Sequence, residues 1–138
     1  MPSKDERQTR TDFSERYRLR AETDLINEIE RRVIGEVWGA NGFTTVAEAD
    51  QMRTRLDLRS DSRLLDLGSG FGWPGLYLAR ESGCALVVTD MPIEGLAGSV
   101  QRARSDNIKS LGAVACSGTH LPFSDGSFDA IVHTDVLC

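Results

Sequence analysis

Apolar residues recur along this chain with two different periods, and the change falls near residue 62. In the first part, Leu25, Ile29, Val33 and Val37 stand four apart with Ile26 beside them, the stripe of an amphipathic helix. This predicts a helix developing from about Asp12 with that stripe against the core, weakened at its end by Gly35 and Gly39. The polar, mixed-charge stretch from Met1 to Thr11 reads as a frayed end. Thr45-Val46-Ala47-Glu48 is a capping box and starts a helix that buries Val46, Ala49, Met52 and Leu56. Leu58 to Ser62 links that helix to the first strand.

Beyond that link the apolar runs shorten to strand length. Four strands are predicted, Arg63–Leu67, Ala85–Thr89, Leu111–Ala115 and Phe128–Thr134, with helices from Pro74 to about Arg80 and from Ile93 to Arg104. Gly95 and Gly98 each weaken the second of these helices by roughly 1 kcal/mol relative to alanine. Strands alternating with helices imply an α/β fold, a partial doubly wound parallel sheet with right-handed crossovers and spatial order 3-2-1-4, preceded by N-terminal helices. A ligand is expected at the carboxyl ends of strands 1 and 4, where the strand order reverses.

The chemistry concentrates at the first strand-to-helix turn, Leu64-Leu65-Asp66-Leu67-Gly68-Ser69-Gly70-Phe71-Gly72. Gly68, Gly70 and Gly72 let main chain approach a ligand closely, and the free N–H groups of the adjoining helical turn point toward it. Pro74 fits the first helical position. A dinucleotide fingerprint, G-x-G-x-x-G, needs glycine at position 73, where this chain has Trp73. Trp73-Pro74-Gly75 is placed either to line a ligand pocket or, as a tryptophan at a helix start more often does, to pack beneath the loop. Two further segments come in order. The strand Cys84-Ala85-Leu86-Val87-Val88-Thr89-Asp90 ends in an acid placed to accept ribose hydroxyls. The loop Ser117-Gly118-Thr119-His120-Leu121-Pro122-Phe123 then leads through Ser124-Asp125-Gly126-Ser127-Phe128-Asp129 into the fourth strand.

Taken together, these three segments resemble the class I S-adenosylmethionine-dependent methyltransferases over roughly Arg63 to Cys138. The resemblance implies a Rossmann-like fold and S-adenosyl-L-methionine as cofactor, with Asp66, Gly68, Ser69, Gly70 and Gly72 at its amino-acid end. It implies Asp90 on the ribose, Met91 as a soft platform for adenine, and Ser117, Gly118 and Thr119 at the adenine edge. Where the family often carries Asp, this chain has Ser117, a hydroxyl without charge. His133, at the end of strand 4, is expected near the cofactor's amino group or as a proton acceptor. His120 reads as structural. Asp135 is a candidate substrate contact and Phe43, in the turn Asn41-Gly42-Phe43-Thr44, a candidate pocket residue. Tyr17 with Arg18 to Arg20 reads either as an N-terminal lid or as a solvated helix face. No catalytic residue is assigned. The function implied is methyl transfer to a small-molecule acceptor. The alternatives are a non-catalytic cofactor-binding module and, disfavoured by Trp73, a fragment of an NAD-dependent oxidoreductase.

With 138 residues, 40% of them hydrophobic and 27% charged, the chain has material for one sizeable core. The division expected is a helical extension or lid over 1–62 and a cofactor-binding domain over 63–138. Four strands are few for a family whose sheet normally has seven, so a truncation after strand 4 is expected, leaving an edge open to a second copy. Net charge is −5 and acids outnumber bases on both sides of residue 62, which argues against nucleic acid as partner. Cys84, Cys116 and Cys138 are widely spaced and form no C-x-x-C pair, so neither a disulfide framework nor a zinc site is expected. Without an apolar leader or a run of about 18 apolar residues, the expected location is the cytoplasm rather than a membrane.

Overall fold

A computed structural model describes residues 3–20 and 24–136. Cys138 and residues 21–23 of the predicted N-terminal helix lie outside them. Four strands, β1 (Arg63–Leu67), β2 (Ala85–Asp90), β3 (Ser110–Ala115) and β4 (Ala130–Val132), form one parallel sheet of order β3-β2-β1-β4. That is the expected order. β1 lies in register with β2 from Arg63 opposite Ala85 to Leu67 opposite Thr89, and Leu64 to Asp66 face Ala130 to Val132 of β4. Continuous burial of Leu64, Leu65, Leu86 and Val88 marks strands covered on both faces, as crossover helices require. Those helices are α4 (Gly75–Ser82) and α5 (Ile93–Ser105). Pro74 sits at the N-cap of α4, one position before the first helical residue expected for it, and Gly83 closes the helix in a left-handed conformation.

Three helices precede the sheet: α1 (Lys4–Leu19), α2 (Asp24–Val33) and α3 (Val46–Arg55). Two expectations are corrected here. The stretch up to Thr11 is helical from Lys4, because Ser3 and Glu6 form a capping box of the same kind as Thr45 and Glu48. The stripe Leu25, Ile29 and Val33 faces outward, with 68%, 53% and 47% of each residue exposed. The inward row lies one residue further on and runs through Glu30 to Ile34. Glu30 is drawn inside because its carboxylate accepts from the backbone N–H of Trp38 and of Ala40, both at 2.8 Å, and pairs with Arg20 at 3.0 Å. This folds residues 35–40 back onto the sheet, so Trp38, 1% exposed, enters the same core as Leu64, Leu76 and Leu86. The core is therefore continuous across residue 62.

α5 begins beside the glycine loop, and its glycines have a packing role that outweighs their low helix propensity. A methyl group on Gly95 would meet the Gly70 carbonyl oxygen at 2.7 Å and the Tyr17 ring at 2.9 Å, and one on Gly98 would meet the Phe71 ring at 2.6 Å. Two backbones approach here because no side chain stands between them. No helix among the described residues is long and apolar enough to cross a membrane.

Candidate functional site

β1 and β2 end side by side, and the turns that leave them enclose a cavity of about 240 Å³. Gly68, Ser69, Gly70, Asp90 and Met91 line it, together with Phe13 and Tyr17 from α1, Asn41 and Gly42 from the preceding loop, and Thr134 to Val136 after β4. Gly68 and Gly70 both have positive φ, which a side chain would strain, and they leave main chain bare toward the cavity. Ser69 is 3% exposed and its hydroxyl has no hydrogen-bond partner. A buried donor of that kind in a cavity wall is suited to a polar ligand atom. A more open groove of about 670 Å³ runs beside α5, lined by Arg20, Trp38 and Arg102. It lies away from Gly68, Ser69 and Asp90, so its size does not make it the site.

The Asp90 carboxylate is the electrostatic centre. Its two oxygens accept from the N–H of Gly70 and of Met91, each at 2.7 Å, and Tyr17 lines the same cavity. Burial raises its pKa above the usual carboxylate range, and these two N–H donors work against the rise. A carboxylate offers about four acceptor positions, so two remain for ligand hydroxyls.

Several residues expected at the site stand behind or beside it. Asp66 is 1% exposed and turns under the glycine loop, where it accepts from the Gly75 N–H at 2.8 Å. It braces the start of α4 and does not line the cavity. Gly72, also outside the lining, lets Leu76 pack where a side chain would clash at 2.4 Å. The loop hydroxyls of Ser117 and Thr119 are engaged by the Glu6 carboxylate of α1, and Gly118 lies over Leu67. His133 follows Val132, the buried last residue of β4, and is exposed and outside the cavity lining. Phe43 is 81% exposed. Asp135 does line the cavity and accepts from Thr44 Oγ1 at 3.1 Å. Trp73 is buried, its ring 5.7 Å from that of Trp38 and its indole N–H on the Thr44 carbonyl, and it also contributes to the cavity lining. Phe13 is a cavity residue that no sequence motif marked, and Phe71 and Asn41, within the glycine loop and the turn before α3, are cavity residues to which no motif gives a role of their own.

Burial pushes the Asp66 carboxyl up to about 8, against the single N–H donor from Gly75, and the negative charge of Asp90 adds to the rise. An unfolded aspartate titrates near pH 3.9. Between these values the native protein holds a proton that the unfolded chain has released, so the contribution is complete below about pH 4 and is lost as pH rises through about 8. Stability from urea unfolding should therefore decline between about pH 4 and pH 8. Asp66→Asn, which mimics the protonated form, should flatten that decline; an unchanged slope would show that Asp66 is ionised in the native state.

An open parallel α/β sheet with a glycine-lined cavity and a strand-end acid at its reversal point defines the class as a nucleotide-type cofactor binder of Rossmann-like architecture. Residues 65–138 match the model of the methyltransferase domain family, and the chain belongs to that family. It is 31% identical over 83 residues to methyltransferase GfsG of Streptomyces halstedii, a match covering 59% of this chain and 30% of that protein. It is 27% identical over 114 residues to a glycine/sarcosine/dimethylglycine N-methyltransferase of Actinopolyspora halophila, covering 72% of this chain and 20% of that one. The chain thus matches less than a third of the length of either relative. Among solved structures, an S-adenosylmethionine-dependent methyltransferase of Thiobacillus denitrificans in complex with S-adenosylhomocysteine superposes with a TM-score of 0.62 at 19% identity, over 82% of this chain and 44% of that one. A methyltransferase of Methanococcus maripaludis gives 0.63 at 18% identity, over 81% and 48%. At these identities the shared property is the fold.

Proposed function

We propose that this chain holds S-adenosyl-L-methionine in the cavity at the ends of β1 and β2 and serves methyl transfer to a small-molecule acceptor. The observation that carries this reading is the convergence of Gly68, Gly70 and the unpartnered Ser69 hydroxyl with the Asp90 carboxylate on one cavity wall. These groups suit the cofactor's two polar ends: Asp90 has an acceptor position for a ribose hydroxyl, and Ser69 with the bare loop main chain offers donors to a carboxylate. Met91, beside them, is a polarizable surface for a purine face. Ser117, Gly118 and Thr119 stand at the adenine side of the same sheet edge. They are reached there by the Glu6 carboxylate of α1, whose Phe13 and Tyr17 line the cavity.

When bound, the cofactor supplies a methyl group already activated by a sulfonium. The protein's task is then chiefly orientation and the exclusion of water, and the chain's residues are suited to both. Asp90 and the glycine loop fix the nucleoside end, and the aromatic wall of Phe13, Tyr17 and Phe71 shields it. Asp135 and Thr134, on the β4 side of the cavity, face the region an acceptor would enter.

Incubation with methyl-labelled S-adenosylmethionine and a panel of small amines, thiols and hydroxyl compounds tests the proposal. Label in an acceptor supports it. Tight binding with no transfer across the panel would favour a cofactor-binding module, and no binding by the folded chain would overturn the reading.

A further inference from the structure

The first turn of α1 reaches a loop 111 residues further along the chain. Glu6 Oε1 accepts from the Ser117 hydroxyl and, at 3.1 Å, from Thr119 Oγ1. Toward the other end of the helix, Ser14 and Arg18 donate to Glu94 in the first turn of α5, at 3.0 Å from the Ser14 hydroxyl and 2.7 Å from Arg18 Nη2. Thr9, Phe13 and Tyr17 of the same helix line the cavity. Helical spacing of three and four residues puts Glu6 in their row, one turn before Thr9.

The loop that Glu6 reaches leaves the sheet beside the strand-end acid. The N–H of Cys116 donates to the Asp90 carbonyl at 3.0 Å, so Ser117 directly follows a residue bonded to Asp90. Met91 and Pro92, next after Asp90 in the chain, line the cavity together with Thr9. From Cys116 to Pro122 the loop has hydroxyls, main chain and one imidazole but no carboxylate of its own. Glu6 brings one to it, in a fixed position. Its Oε2 accepts from the Ser3 N–H at 2.6 Å, while Ser3 Oγ accepts from the Glu6 N–H at 3.0 Å. Ser117, Thr119 and Ser3 thus fill three of about four acceptor positions on the carboxylate, and one remains.

The 6-amino group of adenine is a hydrogen-bond donor, and a carboxylate is a strong acceptor for it. Resting on the reading of the cavity as the S-adenosylmethionine site, we infer that Glu6 is a further cofactor-binding residue, which accepts from the adenine 6-amino group and so selects an aminopurine over a purine lacking that donor. α1 then does two things at the site. Phe13 and Tyr17 wall the cavity, and Glu6, held by the hydroxyls of Ser117 and Thr119, reads the edge of the base. Removing the Glu6 carboxylate leaves Asp90 for the ribose and Met91 for the purine face. The loss therefore falls on recognition of the amino group.

The test compares the affinity of S-adenosylhomocysteine with that of its 6-deamino analogue, whose purine carries hydrogen in place of the amino group. Both are titrated into the parent chain, Glu6→Ala and Ser3→Ala, each checked for folding by circular dichroism. The parent should prefer S-adenosylhomocysteine about tenfold, in keeping with a hydrogen bond to a charged group. Glu6→Ala should reduce that preference to less than about twofold. Ser3→Ala weakens the same helix end but keeps the carboxylate, so it should retain most of the preference. A parent that binds the two ligands equally overturns the proposal. A preference that persists in folded Glu6→Ala overturns it too, since Glu6 would then only dock the helix, as does a preference lost to the same extent in Ser3→Ala. If the folded parent binds neither ligand, it is the underlying cofactor reading that fails.

Discussion

Replacing Trp38 by alanine should cost about 3–5 kcal/mol of stability, the range for truncating a buried tryptophan. Trp38 is 1% exposed and its ring lies 5.7 Å from Trp73 and 6.0 Å from Tyr77. The Arg80 and Arg102 guanidinium groups each stand 4.9 Å from its centroid, and its indole N–H reaches Glu36 at 3.0 Å. The ring and guanidinium contacts join residues 35–40 to the strand-and-helix unit beyond residue 62. The loss is therefore a loss of attachment as well as of buried area. Against a total stability of about 5–15 kcal/mol for a domain, it should bring the urea midpoint down sharply. Trp38→Phe, which keeps most of the ring volume, should lose clearly less. A loss below about 1 kcal/mol for the alanine variant would show that the segment only rests on the surface.

Asp90→Ala should weaken S-adenosylhomocysteine binding by about 1–3 kcal/mol, as expected for hydrogen bonds to a charged acceptor. In the proposed site the carboxylate accepts from a ribose hydroxyl, and it already accepts from Gly70 and Met91. Its removal therefore also frees the glycine loop from the end of β2. Titration of a folded Asp90→Ala variant gives the loss directly. Unchanged affinity would mean that the ribose lies elsewhere.

The strands were readable from sequence because parallel strands buried on both faces appear as unbroken apolar runs, as in Leu64-Leu65 and Leu86-Val87-Val88. The reversal of strand order then located the site. α2 was misread because four-residue spacing shows that a helix is amphipathic, yet does not reveal which polar residue is drawn inside. Glu30 turns inward on account of two backbone N–H groups eight and ten residues away and the Arg20 guanidinium, none of which periodicity can register. Asp66 carried the right motif, and its side chain lies on the far side of the loop, a choice made by the free N–H of Gly75. Tyr17 and Asn41 escaped clear assignment for a related reason: the Gly70 and Asp90 with which they line one cavity lie far along the chain, and the docking of α1 on α5 brings Tyr17 to them. Ser3 and Glu6 were the local signal for that helix, identical in logic to Thr45 and Glu48.

The central claim, that the glycine-lined cavity takes a sulfonium nucleoside rather than a dinucleotide, is tested most directly by calorimetric titration of the 138-residue chain with S-adenosylhomocysteine and, separately, with NADH. The account predicts saturable binding of S-adenosylhomocysteine alone. Binding of NADH in its place, or no binding of either by a chain that circular dichroism shows to be folded, would contradict it.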